Sequence, residues 1–204
     1  MLNELRGTRD SEPDVQGLMQ AELGEHRQVF DTLASMLARP FAASLEIIES
    51  GLRRGGKLLL FGNGGSAADA QHIAAELVVR YKAERPAIAA IALTTDSSTL
   101  TGCANDHGFE AIFQRQIDAL GRPGDVAVGI STSGKSPNVL AGLRRAHALG
   151  LSTVGLSGGE GGELPGLCDA LIVVPSPVTA RIQEMHILIG HMWCKILERR
   201  LGLV

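Results

Sequence analysis

Hydrophobic positions follow a helical period in the first part of the chain and form short continuous runs beyond it, and this change divides the chain into segments. From Val15 to Arg39 apolar residues recur at the three- and four-residue spacing of an amphipathic helix, which Pro40 is expected to end. A second amphipathic stretch runs from Phe41 to Arg54, and Gly55-Gly56 predicts a C-terminal cap for it. Residues 1–14 have no such pattern. The first part of the chain therefore predicts a tail followed by two helices.

Beyond Gly56, short apolar runs predict buried strands. Their apolar residues do not alternate with polar ones, which is typical of a parallel sheet covered on both faces. The predicted strands are Lys57–Phe61, Ile88–Leu93, Val126–Ile130, Thr153–Leu156 and Leu171–Val174. The predicted helices between and after them are Ser66–Tyr81, Phe109–Leu120, Pro137–Leu149 and Val178–Arg200.

This alternation of strands and helices predicts a doubly wound α/β fold with right-handed crossovers. We expect a single domain over residues 15–204, with added N-terminal helices at 15–54, an α/β part at 57–177 and a last helix at 178–200. Ligands of such sheets bind at the C-terminal ends of the strands.

Composition narrows the classes of function. Hydrophobic residues make up 45% of the chain and charged residues 20%, with a net charge of −3 and no basic block, which favours a globular protein without a nucleic-acid partner. No apolar run approaches the ~18 residues of a membrane span, and residues 1–14 are polar. The three cysteines form no C-x-x-C pair, which argues against a disulfide framework and a thiolate zinc site. We therefore expect a cytoplasmic protein without a membrane partner.

A glycine-rich loop follows the first predicted strand, with the sequence Gly62-Asn63-Gly64-Gly65-Ser66. Glycine lets the backbone approach a ligand closely, and Ser66 with Asp69 three residues later resembles a capping box. Exposed N–H groups at a helix start favour a phosphate or carboxylate. A tight strand-to-helix turn would explain the same glycines.

A hydroxyl-rich loop follows the third predicted strand. It contains Ser131, Thr132, Ser133 and Ser136, and Ser136 with Pro137 predicts the start of the next helix. Hydroxyls and free amides could hold a phosphate without a metal. The stretch from Gly129 to Ser136 also satisfies the P-loop expression G-x-x-x-x-G-K-[ST]. A nucleotide hydrolase needs in addition a carboxylate at a strand end to hold Mg²⁺, and the later predicted strands end without one.

Two helical segments carry groups capable of proton transfer or metal binding. His72 and Glu76 are spaced i, i+4 and share one helix face, so they can bind one divalent metal or act as an acid–base pair. The last helix places Gln183, His186 and His191 among apolar residues. Gln183 and His191 lie about 12 Å apart along an ideal helix. Either the helix begins near Gln183, long side chains reach inward, or His191 serves a site shared with another subunit.

One further polar pair, Asn105-Asp106, lies just before the predicted helix Phe109–Leu120. The pair could simply cap this helix. It could also present a carboxylate to a sugar hydroxyl.

Six motifs in order along the chain resemble those of the sugar isomerase (SIS) domain family, and more narrowly its phosphoheptose isomerase group. The resemblance runs from about Val15 to Leu197. The motifs are Gly62-Asn-Gly-Gly-Ser66, His72-x-x-x-Glu76, Ala92-Leu-Thr-Thr-Asp96, Asn105-Asp106-x-Gly108-Phe109, Gly129-Ile-Ser-Thr-Ser-Gly134-x-Ser136 and Arg181-Ile-Gln-Glu-x-His186.

This resemblance implies a flavodoxin-like SIS fold and a cytoplasmic homotetramer with sites at subunit interfaces. The implied reaction converts the sugar phosphate sedoheptulose 7-phosphate to D-glycero-D-manno-heptose 7-phosphate through a cis-enediol. It would be the first step of ADP- or GDP-heptose biosynthesis, toward lipopolysaccharide or other surface glycans.

The resemblance also implies roles for individual residues. One zinc ion per subunit is expected on His72, Glu76, Gln183 and His191, with Glu76 and His191 transferring protons. The implied substrate-binding set is Asn63, Gly64, Gly65, Ser66, Glu76, Asn105, Asp106, Ser131, Thr132, Ser133, Ser136 and Gln183. Lys135 falls on a variable position of its motif, which makes the P-loop match a coincidence. Ala180 departs from the aspartate of some members.

Two alternatives stay open at this point. A sister group with the same fold binds a bacterial replication initiator and shares the segment from Ala180 to His186, but typically lacks the residues matching Glu76 and His191. This chain keeps both, which favours the enzyme. A P-loop-like nucleotide binder is the other alternative.

Overall fold

The computed structural model describes residues 14–204. The predicted tail lies outside the described residues except for Asp14, which is the N-cap of the first helix and accepts a hydrogen bond from the Gly17 backbone. The seven α-helices of this part are α1 Val15–Met36, α2 Ala38–Arg53, α3 Gly65–Val78, α4 Ser97–His107, α5 Ile112–Leu120, α6 Pro137–Ala148 and α7 Thr179–Arg200. A short 3₁₀ turn, Phe109–Ala111, precedes α5.

The strands form one parallel sheet. They are β1 Leu58–Gly62, β2 Ala90–Ala92, β3 Val126–Ser131, β4 Ser152–Gly158 and β5 Ala170–Val174. Their order in the sheet is β2-β1-β3-β4-β5, the doubly wound order in which the chain reverses direction between β1 and β3. The predicted α/β fold with a five-stranded parallel sheet is confirmed.

Both faces of the sheet are covered, as the absence of alternation predicts. In β1, Leu58 and Leu60 join the apolar cluster formed with α2, α3 and α7. Leu59 and Phe61 point to the other side and join the cluster formed with α5 and α6. All four side chains are at most 1% exposed, which is why this strand reads as a continuous apolar run.

The boundary between the first two helices differs from the prediction. The first helix ends at Met36, and Pro40 lies inside α2, in its first turn. Proline is tolerated there because the first backbone N–H groups of a helix have no partner within it. The predicted cap of α2 is confirmed: the helix ends at Arg53, and Gly55 has a positive φ of 82°.

Helix α4 is not predicted from the sequence. Its segment is rich in Ser, Thr, Gly and Asn, has no buried residue and lacks an apolar stripe, so its pattern is not that of a packed helix. One local signal does exist. Asp96 is the N-cap and accepts hydrogen bonds from both the backbone N–H and the hydroxyl of Thr99, a pairing typical of helix starts.

No helix within residues 14–204 is both long enough and apolar enough to cross a bilayer.

Candidate active site

Helices α3 and α7 pack side by side in the same direction, and we call their contact the α3–α7 seam. It begins where Gln183 contacts Gly65, and its outer end is where Gly190 lies against Ile73. Beyond α3, Glu198 accepts a hydrogen bond from the Tyr81 backbone. The approach is close: a Cβ atom at Gly190 would lie 2.5 Å from Ile73 Cδ1. Glycine therefore brings the two helices close enough for their side chains to meet.

Three of the predicted site residues meet at the outer part of this seam. The Nε2 atoms of His72 and His191 are 2.9 Å apart, and Glu76 Oε1 lies 3.5 Å from His72 Nε2. The His191 ring also lies against the Tyr81 ring, with centroids 5.4 Å apart. Because the His72 side chain is 48% exposed and that of Glu76 is 22% exposed, the group is open to solvent and to a ligand.

The surroundings favour the neutral forms of His191 and of Asp69 next to the group. Burial lowers the pKa of His191 below its ordinary value; His72 acts in the same direction and Glu76 against it. One turn before His72, burial raises the pKa of Asp69 to about 6, with His72 opposing the shift. The Asp69 Oδ2 atom is buried and has no hydrogen-bond partner within the described residues. A neutral imidazole and a nearby carboxylate form a suitable acid–base pair.

Gln183, the fourth predicted metal ligand, lies at the other end of the seam. A Cβ atom at Gly65 would lie only 2.3 Å from Gln183 Nε2, so the amide packs on the start of α3. Helix α7 runs without interruption from Thr179 through His191, and the two residues remain about 12 Å apart along it. The described chain thus brings His72, Glu76 and His191 together and places Gln183 beside the glycine loop.

The side chains of this group are of the types that bind zinc. Two imidazoles and one carboxylate are a common zinc ligand set that leaves a fourth position free. Two nitrogens bound to one tetrahedral ion lie about 3.3 Å apart, given bond lengths of about 2.0–2.1 Å, and here they are 2.9 Å apart. Within residues 14–204, no three His, Cys, Asp or Glu side chains already surround an open metal position. His72, Glu76 and His191 therefore fit the ion by the chemistry of their side chains, while their present spacing is that of a hydrogen-bonded group.

The glycine loop connects β1 to α3, and its cap differs from the prediction. Gly64 is the N-cap, with φ +56°, a conformation that favours glycine. Ser66, predicted to be the cap, lies inside the helix and is 3% exposed. The capping-box prediction for Ser66 and Asp69 is therefore wrong, because the N-cap lies two residues earlier, at Gly64, and the helix starts without a side-chain cap.

The hydroxyl-rich loop, which we call the serine loop, connects β3 to α6. The predicted start of α6 is confirmed, with Ser136 as N-cap and Pro137 as the first helical residue. The Ser136 hydroxyl does not cap the helix; it lies 3.0 Å from the Ser131 hydroxyl. Gly134 holds the loop against the β4–β5 connection, where its carbonyl accepts a hydrogen bond from the Glu163 backbone. Thr132 and Ser133 line a cavity of about 510 Å³. The cavity is also lined by Lys135, Gly158, Gly159, Glu160, Gly162, Ser176, Pro177, Thr179 and Ile182.

The pair Asn105-Asp106 lies in the last turn of α4, not at the start of the next helix. The residue that precedes the 3₁₀ turn is Gly108, so the cap interpretation of the pair is wrong. Asn105 Nδ2 donates to Asp106 Oδ1 at 2.8 Å. Asp106 lines a depression of about 500 Å³ near the edge strand β2, which does not include the serine loop.

The buried polar residues of α7 have partners for some of their atoms, whereas Arg181 Nε and His186 Nδ1 have no hydrogen-bond partner within the described residues. His186 is fully buried, with Nε2 3.0 Å from the Ser157 carbonyl. Arg181, 6% exposed, donates to the Glu22 carbonyl and to Glu184, which also contacts His26 at 2.7 Å. These contacts attach α1 to the start of α7, and nothing in the hydrophobic pattern predicts them.

Comparison with known proteins identifies the family of this chain. A family model described as SIS domain matches residues 23–158. A phosphoheptose isomerase from Paramagnetospirillum magneticum is 56% identical over 180 residues, covering 88% of this chain and 94% of the relative. Phosphoheptose isomerase 1 from Campylobacter jejuni is 54% identical over 181 residues, covering 89% of this chain and 97% of the relative.

Solved structures agree. The phosphoheptose isomerase of Neisseria gonorrhoeae superimposes with a TM-score of 0.86 at 42% identity, covering 90% of this chain and 98% of that chain. That of Francisella tularensis gives a TM-score of 0.87 at 37% identity with the same coverage. The family resemblance inferred from the motifs is thereby confirmed: this chain belongs to the SIS domain family and, within it, to the phosphoheptose isomerases.

Proposed function

We propose that this protein converts sedoheptulose 7-phosphate to D-glycero-D-manno-heptose 7-phosphate. The observation that carries the proposal is the meeting of His72, Glu76 and His191 on the α3–α7 seam, in a chain 56% identical to a phosphoheptose isomerase. Two proton-transfer groups and an exposed setting are what an aldose–ketose isomerisation requires. We also propose a cytoplasmic location and the first step of ADP- or GDP-heptose biosynthesis, toward lipopolysaccharide or other surface glycans.

The reaction moves a proton between C1 and C2 through a cis-enediol. In the proposed mechanism, one of Glu76 and His191 takes the carbon-bound proton and the other moves a proton between the two oxygens. Burial lowers the pKa of His191, which favours the neutral imidazole that can accept a proton. The carboxylate of Glu76 is the second base of the pair.

The two loops orient the substrate. Hydroxyls of the serine loop bind the phosphate far from the reacting carbons, and the exposed backbone of Gly64 and Gly65 accommodates the sugar near Gln183. Asn105 and Asp106 are proposed to contact sugar hydroxyls. Binding at the phosphate orients the reacting carbons rather than activating them, and such orientation alone accelerates reactions by several orders of magnitude.

A zinc ion is the proposed cofactor, one per subunit, held by His72, Glu76 and His191 with Gln183 as the predicted fourth ligand. Because a metal ligand is not a free base at the same instant, whichever of Glu76 and His191 takes the carbon-bound proton would be held only loosely by the ion. When bound, zinc would supply Lewis-acid polarisation of the substrate carbonyl.

We further propose that the protein is a homotetramer whose sites lie at subunit interfaces. Helix α1 exposes an apolar stripe on the side away from the sheet, with Leu18 59% and Leu23 57% exposed. An apolar groove of about 460 Å³ lies between α1, α2 and α7, lined by Phe30, Leu33, Ala34, Leu37, Ala38, Phe41, Leu188 and Met192. Exposed apolar surface of this kind is typical of association sites. Assembly would add residues to the open histidine group.

The test is incubation of the purified protein with sedoheptulose 7-phosphate, with and without a chelator. We expect formation of the seven-carbon aldose phosphate, loss of turnover after chelation and recovery on addition of zinc. Absence of turnover in a zinc-loaded, folded protein would refute the function. Turnover unaffected by complete metal removal would refute the cofactor alone.

A further inference from the structure

A pair of amides, one buried and one half-buried, joins the glycine loop to the start of α6. Asn63 Nδ2 donates to Asn138 Oδ1, and Asn138 Nδ2 donates to Asn63 Oδ1, each at 2.8 Å. Asn138 is 2% exposed and has no access to the bulk solvent that could replace these bonds. The pair is therefore a fixed connection between residues 75 positions apart.

Asn138 itself is held in one orientation. Its Oδ1 accepts a second hydrogen bond, from the Val139 backbone N–H at 3.0 Å. The residue lies two positions after Ser136, in the first turn of α6. Because the amide is attached to the helix start, it presents a rigid partner to Asn63.

The amide pair links the glycine loop to the serine loop directly by hydrogen bonds. Strands β1 and β3 are neighbours, with Gly62 paired to Ile130, so the loops leave the sheet side by side. Beyond the strand ladder, the only hydrogen bonds between residues 63–66 and 132–138 in the described part of the chain are those of the amide pair. The spacing of the loops thus depends on it.

We infer that Asn138 is a positioning residue that sets the spacing between the glycine loop and the serine loop. It does not touch the substrate in this role; it acts through Asn63 and the α6 start. The inference rests on the proposed function, in which the serine loop holds the phosphate and the glycine loop the sugar. A ligand that spans both loops needs the correct spacing, whereas a ligand of the serine loop alone does not.

Kinetics of two ligands test this distinction. Asn138→Asp keeps size and shape but places an oxygen against Asn63 Oδ1, and Asn138→Ala removes both bonds. We expect either variant to raise KM for sedoheptulose 7-phosphate about tenfold, because a ligand that spans both loops loses the correct spacing between its two contacts. The inhibition constant of inorganic phosphate should change less than about twofold, because phosphate contacts only the serine loop.

Gln116→Glu is the matched control. Gln116 is also a buried amide, 8% exposed, and its Nε2 donates to the carbonyls of Leu93 and Ile112. The variant should lower the melting temperature while keeping the wild-type KM. Asn63→Asp should reproduce the effect of Asn138→Asp, and the double variant should add little to either, as expected of two residues in one contact.

Three results would overturn the inference: an unchanged KM in a folded Asn138 variant, a phosphate inhibition constant that rises as much as KM, or the same KM increase in Gln116→Glu. Each presupposes an active wild-type protein. A wild-type protein that does not turn over the sugar phosphate would instead refute the proposed function, so the two failures are distinguishable. If Asn138→Asp does not fold, Asn138→Ala provides the measurement.

Discussion

The two ends of the α3–α7 seam differ in composition and in exposure. At the sheet end, Gln183 packs on Gly65 with almost no space between them. At the outer end, the imidazoles of His72 and His191 meet in a solvent-exposed group beside Glu76. From Gly65 to His72 the separation is about 10 Å along the helix. Under the proposed function, this difference would separate the binding of the sugar at one end of the helix pair from the proton transfers at the other.

The largest expected effect is at the outer end. Glu76→Gln keeps the shape of the side chain but removes its basicity, so we expect turnover of sedoheptulose 7-phosphate to fall at least ~10³-fold. Melting temperature should be nearly unchanged because the contact with His72 is partly exposed. Glu84→Gln, at a 91% exposed side chain of an i, i+4 pair, is the control. Retention of activity in Glu76→Gln would remove Glu76 from the mechanism.

The second prediction concerns His186, which anchors α7 to β4 between the two ends. Burial lowers its pKa from 6.5 to about 4, with the Ser157 hydrogen bond acting in the opposite direction. Between these two pH values the unfolded chain binds a proton that the folded chain does not. The free energy of unfolding should therefore fall as pH drops from about 6.5 to 4, by about 3 kcal/mol for this residue.

Urea unfolding between pH 7 and pH 4 measures this loss. His186→Gln can still donate to the Ser157 carbonyl, and it should be less sensitive to acid than the wild-type protein. His147→Gln, which removes an exposed imidazole on α6, should retain the wild-type pH dependence. Equal pH dependence in the wild-type protein and His186→Gln would contradict the prediction.

At the sheet end, Gly65→Ala should displace the Gln183 amide, because a Cβ atom there would lie 2.3 Å from Nε2. A long side chain can move without disturbing the core, so we expect normal stability and a kcat/KM reduced about 10- to 30-fold. Gly102→Ala on α4 introduces the same group where nothing lies within 4 Å and should leave kcat/KM unchanged. An unaffected kcat/KM in Gly65→Ala would show that the position of Gln183 is unimportant.

The smallest effect is expected in the serine loop. Ser133→Ala removes one phosphate-binding hydroxyl, so KM should rise about five- to tenfold at nearly constant kcat. Ser152→Ala is the control, because Ser152 begins β4 and therefore lies at the opposite end of the strands from the serine loop. A fall in kcat with an unchanged KM would contradict the phosphate role and would place Ser133 with the catalytic group.

The fold is predicted correctly in segments where apolar residues dominate. The prediction is wrong or incomplete where contacts between neighbouring residues determine the local structure. The continuous apolar run from Leu58 to Phe61 predicts a strand buried on both faces, and the structure has one there. Helix α4 has no buried residue, so its pattern carries no signal except the Asp96 cap. Ser66 fits a capping box in sequence, but the turn at Gly64 starts the helix earlier.

The sequence by itself determined the doubly wound sheet, the family and the candidate residues, because periodicity, glycine positions and motif order are local properties of the chain. Only the tertiary structure decided which candidates meet. Close packing at Gly190 brings His191 to His72, and the same parallel packing sets Gln183 against Gly65 instead. The amide pair of Asn63 and Asn138 was equally unpredictable, since the partners of a buried polar group depend on how distant segments pack.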